Sequence, residues 1–293
     1  MNILVFGGTR FFGKHLVRKL MKSHRVTIVT RGIQPDDFGN GVSRMTVDRT
    51  DSISLQTALS GKEFDVVYDN IAYCSEDVKR LLDIIHTQKY ILTSSTAVYE
   101  KKPGLMECDF DPAAVPVAWR GREDCTYREG KQEAERALYQ CYPRQQGVTV
   151  RFPFVIGTDD YTKRLQFYVE HTVKRMPMYI DNPDANMSFI HSQEAGEFLA
   201  FLADKDVSSP VNGASDGVAS LREIMDDITK KTGAIPVLTK KGEAAPYNGE
   251  REYSICTEKA QQLGFQFRNV RDHIFPLIDF YCEELLSTHR RST

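Results

Sequence analysis

The 293 residues are 41% apolar and carry 38 basic against 40 acidic side chains, for a net charge of −2. That length and apolar content bury a sizeable core and leave room for a small lobe beside a nucleotide-sized domain. The balanced charge argues against a general nucleic-acid binder, whose domain is usually basic, and no apolar run is long enough to span a bilayer.

The chain opens on an apolar run, Asn2–Phe6, that breaks at Gly7-Gly8, the pattern of a buried strand entering a tight turn. From Lys14 onward Leu16, Val17, Leu20 and Met21 recur at helical spacing, and 26–29 returns to a β-rich run, which completes a βαβ unit. Glycines at such a turn let the backbone approach a pyrophosphate, and the following helix offers that anion its unpaired amides and dipole. Gly7 and Gly13 frame the turn, and Arg10 stands where the dinucleotide fingerprint has its middle glycine. A guanidinium there is a ready phosphate ligand. The second strand should end in an acid roughly twenty residues on to hold the 2′-hydroxyl of NAD. This chain reads Thr30-Arg31-Gly32 there, so Arg10 and Arg31 favour the 2′-phosphate of NADP, with NAD the alternative.

Farther on, KYILTSSTAVYE is an apolar strand ending in a hydroxyl cluster at 93–96, and parallel strands present that end to the ligand crevice. Ser95 is placed there to bond a substrate carbonyl or alcohol, with Thr96 beside it as a substrate contact. Segment 101–122 holds prolines, Trp119 and no clear period, which predicts a lid over the substrate. Of the thirteen tyrosines only Tyr127 has a lysine four residues on, Lys131. Ala134, Ala137, Leu138 and Cys141 suit a helix here, which puts phenol and ammonium one turn apart on one face. Gly130 inside that helix costs about 1 kcal/mol and signals a close approach. A neighbouring lysine lowers a phenol's pKa, so Tyr127 is the predicted acid or base, and Lys131 also holds the nicotinamide ribose.

At these residues the chain resembles the short-chain dehydrogenase/reductase superfamily, in its extended and atypical branch of NAD-dependent epimerases and dehydratases. The resemblance runs nearly end to end. GGTRFFG resembles the cofactor turn, which adds Thr9, Phe11 and Phe12 to the implied cofactor residues. VDRTD resembles the end of the third strand, where Asp48 would reach the adenine amine, and FDVVYDNIAY the fourth, whose Asn70 and Ala72 would pack on the cofactor. SSTAVY and YREGK resemble the serine strand and the Tyr/Lys motif. RFPFVIGTDDYTKR resembles the passage under the nicotinamide, and FIHSQEAGEFLAFL the returning strand and helix. EREYSICTEKAQQLGFQF resembles the C-terminal cap, whose arginine contacts a substrate diphosphate in sugar-nucleotide enzymes and would be Arg251. Arg10 and DYTKR are closer to a subgroup that includes chloroplast stem-loop-binding proteins, and Phe154 replaces an asparagine common in sugar epimerases. The resemblance also implies a homodimer through the helices after Asp69 and around Tyr127.

Six cysteines are dispersed without paired short spacing, which predicts neither a metal site nor a disulfide frame. The direct start on a strand predicts a cytoplasmic protein without a signal peptide or membrane segment. His191 either faces the substrate or is structural. The expected fold is α/β, a doubly wound parallel sheet with a smaller mixed C-terminal substrate lobe. Residues 1–160 form the NAD(P)-binding Rossmann domain, with a return segment at about 187–214, and 161–186 and 215–293 form the substrate-binding lobe. The expected function is that of an NAD(P)-dependent epimerase, dehydratase or oxidoreductase on a small-molecule alcohol or carbonyl, with a nucleotide sugar the leading substrate. An NADPH-dependent reductase of a small carbonyl compound, and a non-catalytic nucleotide-binding or RNA-associated protein, are the alternatives.

Overall fold

In the computed structural model, which describes residues 1–290, strand and helix alternate through the first half of the chain. β1 (Asn2–Phe6), α1 (Phe11–Leu20), β2 (Arg25–Thr30), β3 (Ser43–Thr46) and α2 (Ser52–Leu59) come first. β4 (Phe64–Asp69), α3 (Ser75–Leu82), β5 (Thr87–Ser95), α4 (Tyr127–Cys141) and β6 (Gln146–Phe152) follow. β1, β2 and β4 read as nearly unbroken apolar runs because both faces of the sheet are covered by helices. Ile3 and Val5 face a core built with α1 and Phe198, while Leu4 and Phe6 face the core built with α3 and α4.

The second half weaves between two cores. It runs through β7 (Phe154–Ile156), α5 (Arg164–Val173), β8 (Pro177–Tyr179), β9 (Asn186–Met187), β10 (Phe189–His191), α6 (Ser192–Phe201) and β11 (Val211–Asn212). β12 (Ala219–Ser220), α7 (Leu221–Thr232), β13 (Val237–Leu238), β14 (Glu243–Ala244), α8 (Glu258–Gln262) and α9 (Arg271–Arg290) complete it. α6 packs on the α1 side of the main sheet, and β11 joins that sheet beside β6. A separate core forms among α5, α7 and α9, with Leu165, Ile224, Tyr247 and Ile278 buried in it.

The main sheet has seven strands in the order β11-β6-β5-β4-β1-β2-β3, with every pair parallel. The expected doubly wound parallel sheet is present. Its strand order reverses between β1 and β4, and in such sheets a crevice opens beyond the carboxyl ends of the strands at that point. Among the described residues no helix is long and apolar enough to cross a membrane.

Candidate active site

At the reversal point β1 turns into α1 through Gly7, at φ +77°, where a Cβ would come within 2.6 Å of the Ile71 side chain. A Cβ on Gly13 would stand 2.1 Å from the Gly7 carbonyl oxygen, so the helix can start this close to the turn only with glycine there. α1 has no acid in its first turn, and no side chain caps its first amides. Those amides point into the turn without a side-chain partner, an arrangement that fits an anion such as a dinucleotide diphosphate.

A cleft of about 420 Å³ opens over this turn. Of the residues expected to hold the cofactor, Gly7, Thr9, Arg10, Phe11, Phe12, Arg31, Asp48 and Asn70 line it. Gly13 and Ala72 do not; Gly13 acts through the packing of the turn, and Ala72 is buried beneath, its carbonyl turned toward Lys131. Arg31 is exposed and forms no ion pair among the described residues. Asp48 accepts the Thr50 amide at 2.9 Å and the Thr50 hydroxyl at 2.7 Å, bonds that hold its carboxyl below its ordinary value. Asn70 ties the floor together, donating to the Gly7 carbonyl at 3.3 Å and accepting the Thr93 hydroxyl at 2.8 Å.

The predicted reactive side chains meet next to the cleft, behind its wall residue Tyr73, whose ring lies 6.3 Å from that of Tyr127 and 4.7 Å from the Lys131 ammonium. Ser95 closes β5, and its hydroxyl accepts the Ala97 amide at 3.1 Å. Tyr127 opens α4 behind a Thr126–Glu129 capping box, which fixes where the helix starts and so where the phenol emerges. Gly130 explains the closeness of α4 to the segment after β4, since a Cβ there would lie 2.1 Å from the Tyr73 carbonyl oxygen. Lys131 is buried and donates to the Ala72 carbonyl at 2.8 Å and the Thr93 carbonyl at 2.7 Å. Burial pushes its ammonium down to about 8, against the opposing pull of Asp69.

One electrostatic expectation is corrected. The Tyr127 phenol lies above its ordinary value: the crevice walls around it raise it most, while a hydrogen bond from Ser95 and the charge of Arg164 lower it. Lys131 is not among the groups that lower it: its ammonium, 5.9 Å from the Tyr127 ring centre, gives up its proton at about 8, before the phenol ionises. Tyr127 is 55% exposed.

Thr96 is buried beside Ser95 and accepts the Lys101 ammonium at 3.4 Å; that ammonium also lies 3.6 Å over the Tyr253 ring. Arg251 is exposed two residues before Tyr253 and makes no hydrogen bond or ion pair among the described residues. The predicted lid is a strap instead. Ser75 bonds the Ala118 carbonyl and the Arg120 amide, Glu133 the Ala118 amide, and Gln140 the Pro112 and Val115 carbonyls. These bonds tie the segment along α3 and α4, and its last residue, Arg122, lines the cleft. His191 proves structural, capping α6 through the Gln193 amide and stacking on His273 at 4.8 Å.

Sequence reading missed Arg49, Tyr73, Arg122 and Tyr161, which also line the cleft. Arg49 is buried and bonds Asp69 at 2.5 Å; Arg122 bonds Asp77 at 2.9 Å and lies 5.0 Å over the Tyr73 ring. The adjacency of Arg49 to Asp48 was a usable signal, whereas Arg122 and Tyr161 arrive from distant segments that no local period marks. Among the described residues all six cysteines are free, and no group of three His, Cys, Asp or Glu is placed to hold a metal ion.

A family model described as the NAD dependent epimerase/dehydratase family matches residues 3–214. The chloroplast stem-loop binding protein of 41 kDa b from Arabidopsis thaliana is 28% identical over 298 residues, covering 95% of this chain and 72% of that protein. MoeE5, solved in complex with UDP-glucose and NAD, superposes with a TM-score of 0.75 at 20% identity, over 97% of this chain and 100% of that one. The UDP-glucuronic acid 4-epimerase of Bacillus cereus, solved with UDP-glucuronic acid and NAD, gives 0.74 at 17% identity, over 97% and 100%. At those identities the structural likeness shows a shared fold.

Proposed function

Because the chain belongs to the NAD dependent epimerase/dehydratase family, we propose that it binds a dinucleotide in the Gly7 cleft and interconverts an alcohol and a carbonyl on a nucleotide sugar. The observation that carries this reading is the meeting of Ser95, Tyr127 and Lys131 beside Tyr73, a wall residue of the cleft that opens over the anion-ready turn. The turn amides and Arg10 would hold the diphosphate, and Asp48 the adenine. Arg31, in no ion pair among the described residues and at the end of a β2 that carries no acid of its own, favours a 2′-phosphate and hence NADP over NAD. A nicotinamide bound at the Tyr127 end would supply the hydride acceptor and donor.

The chain's own residues supply proton handling and orientation. Tyr127 is protonated at neutral pH, so its phenol is ready to donate to a developing alkoxide, and Ser95 fixes the reacting oxygen against it. Lys131 presents its ammonium to the carbonyls around the ribose position. Lys101 and Arg251 give the substrate side the cationic groups that a diphosphate requires.

Support for a nucleotide sugar comes from the UDP-sugars held by MoeE5 and the Bacillus cereus epimerase in their solved complexes. The test is a panel of UDP- and dTDP-sugars with added dinucleotide, followed by product analysis. Tyr127→Phe is expected to cut turnover by at least about a hundredfold with dinucleotide affinity unchanged. Turnover that survives in that variant removes Tyr127 from the mechanism.

A further inference from the structure

We infer that Tyr161 is a fixed roof over the dinucleotide cleft, one that covers the bound cofactor and slows its release. The inference rests on the dinucleotide reading above. Tyr161 lies in the connection between β7 and α5, far along the chain from the turn, yet it lines the same cleft. Its ring meets Phe11 edge-on, with centres 6.1 Å apart and planes at 78°, and the Arg10 guanidinium stands 5.4 Å from its centre. Phe11 presents its ring from a left-handed backbone at φ +52°, a conformation that costs a non-glycine residue energy and that clusters at ligand clamps. Tyr73 lines the same cleft and meets the Tyr127 ring at 6.3 Å, so the cleft that Tyr161 covers runs from the diphosphate turn toward the reacting tyrosine.

Core packing does not account for it, because the side chain is 61% exposed. What fixes it is the backbone on which it stands. Asp159, two residues earlier, is bonded by His15 of α1 at 2.9 Å and Ser192 of α6 at 2.6 Å. Asp160 accepts the Thr162 amide and hydroxyl at 2.9 and 2.6 Å, and the Gly157 carbonyl accepts the Tyr281 hydroxyl of α9 at 2.8 Å. Three helices thus hold a short loop against the mouth of the cleft, with an aromatic ring and a guanidinium stacked across it. A flat π-face over the turn, backed by Arg10, suits a dinucleotide that must stay in place while a substrate is oxidised and reduced again.

The test uses the full chain, stripped of nucleotide and reloaded with NADPH or NADH, with release followed by cofactor fluorescence after adding excess oxidised dinucleotide. Tyr161→Ala is expected to speed release about tenfold or more, and Tyr161→Phe, which keeps the ring, to stay within about twofold of the unaltered chain. Asp159→Asn is expected to speed release as well by loosening the loop. Release from Tyr161→Ala at the unaltered rate overturns the roof and leaves the cleft assignment standing. A chain that takes up neither dinucleotide overturns both.

Discussion

Lys131 shows how a single residue joins stability to chemistry. It is buried and hydrogen-bonded only to carbonyls, and burial brings it down to about 8 from its ordinary 10.5. Its folded value lies below its unfolded one, so between pH 8 and 10.5 the unfolded chain binds more protons at this site than the folded chain does. In that window the lysine's contribution makes the fold more stable as pH rises. Below pH 8 both states are protonated, and the full cost of burying the charge is present. Denaturation of the unaltered chain and of Lys131→Met at pH 7, 8 and 9 is expected to show the unaltered chain gaining on the variant above pH 8. Parallel curves would mean that the ammonium is not held this way. The Tyr/Lys spacing was legible because two side chains four apart on a helix must share a face. The lysine's turn toward the Ala72 and Thr93 carbonyls was not, since those groups belong to other strands.

Among the elements, the segment from Lys101 to Arg122 diverges most from what its sequence implied. Lacking a period, it reads as a mobile lid, but it is fastened by side chains of α3, α4 and β6. Arg151 is the centre of that fastening. It is fully buried, pairs with Glu135 at 2.6 Å, and donates to the Tyr99 hydroxyl and to the Glu107 and Phe110 carbonyls. Arg151→Met should cost about 3–5 kcal/mol in chemical denaturation, because it strands a buried carboxylate. Adding Glu135→Gln should recover much of that loss, and a single-variant cost below about 1 kcal/mol would contradict the role. The strap lies along α3 and α4, so a dimer contact through those helices would be made partly by it. The opening βαβ unit was legible in full, because glycine turn chemistry and apolar runs are local. The two- and three-residue strands β8, β9 and β12 to β14 were not, because their pairing exists only once distant segments meet.

At the scale of the whole molecule, the parallel sheet positions everything else. Its order reversal puts the turn after β1 beside the ends of β4 and β5, and α4 then swings Tyr127 and Lys131 over them. We take the division near residue 160 as the boundary between a dinucleotide domain and a substrate lobe, with α6 and β11 returning to the former. Tyr161 stands just past that boundary and reaches back into the cleft. The central claim, a dinucleotide in that cleft, is tested most directly by denaturing the purified protein and identifying any released nucleotide by mass spectrometry. NADPH and NADH are then titrated into the stripped chain. The account predicts about one dinucleotide per chain, released or rebound, with NADPH the tighter of the two. A chain that releases none and binds neither would contradict it.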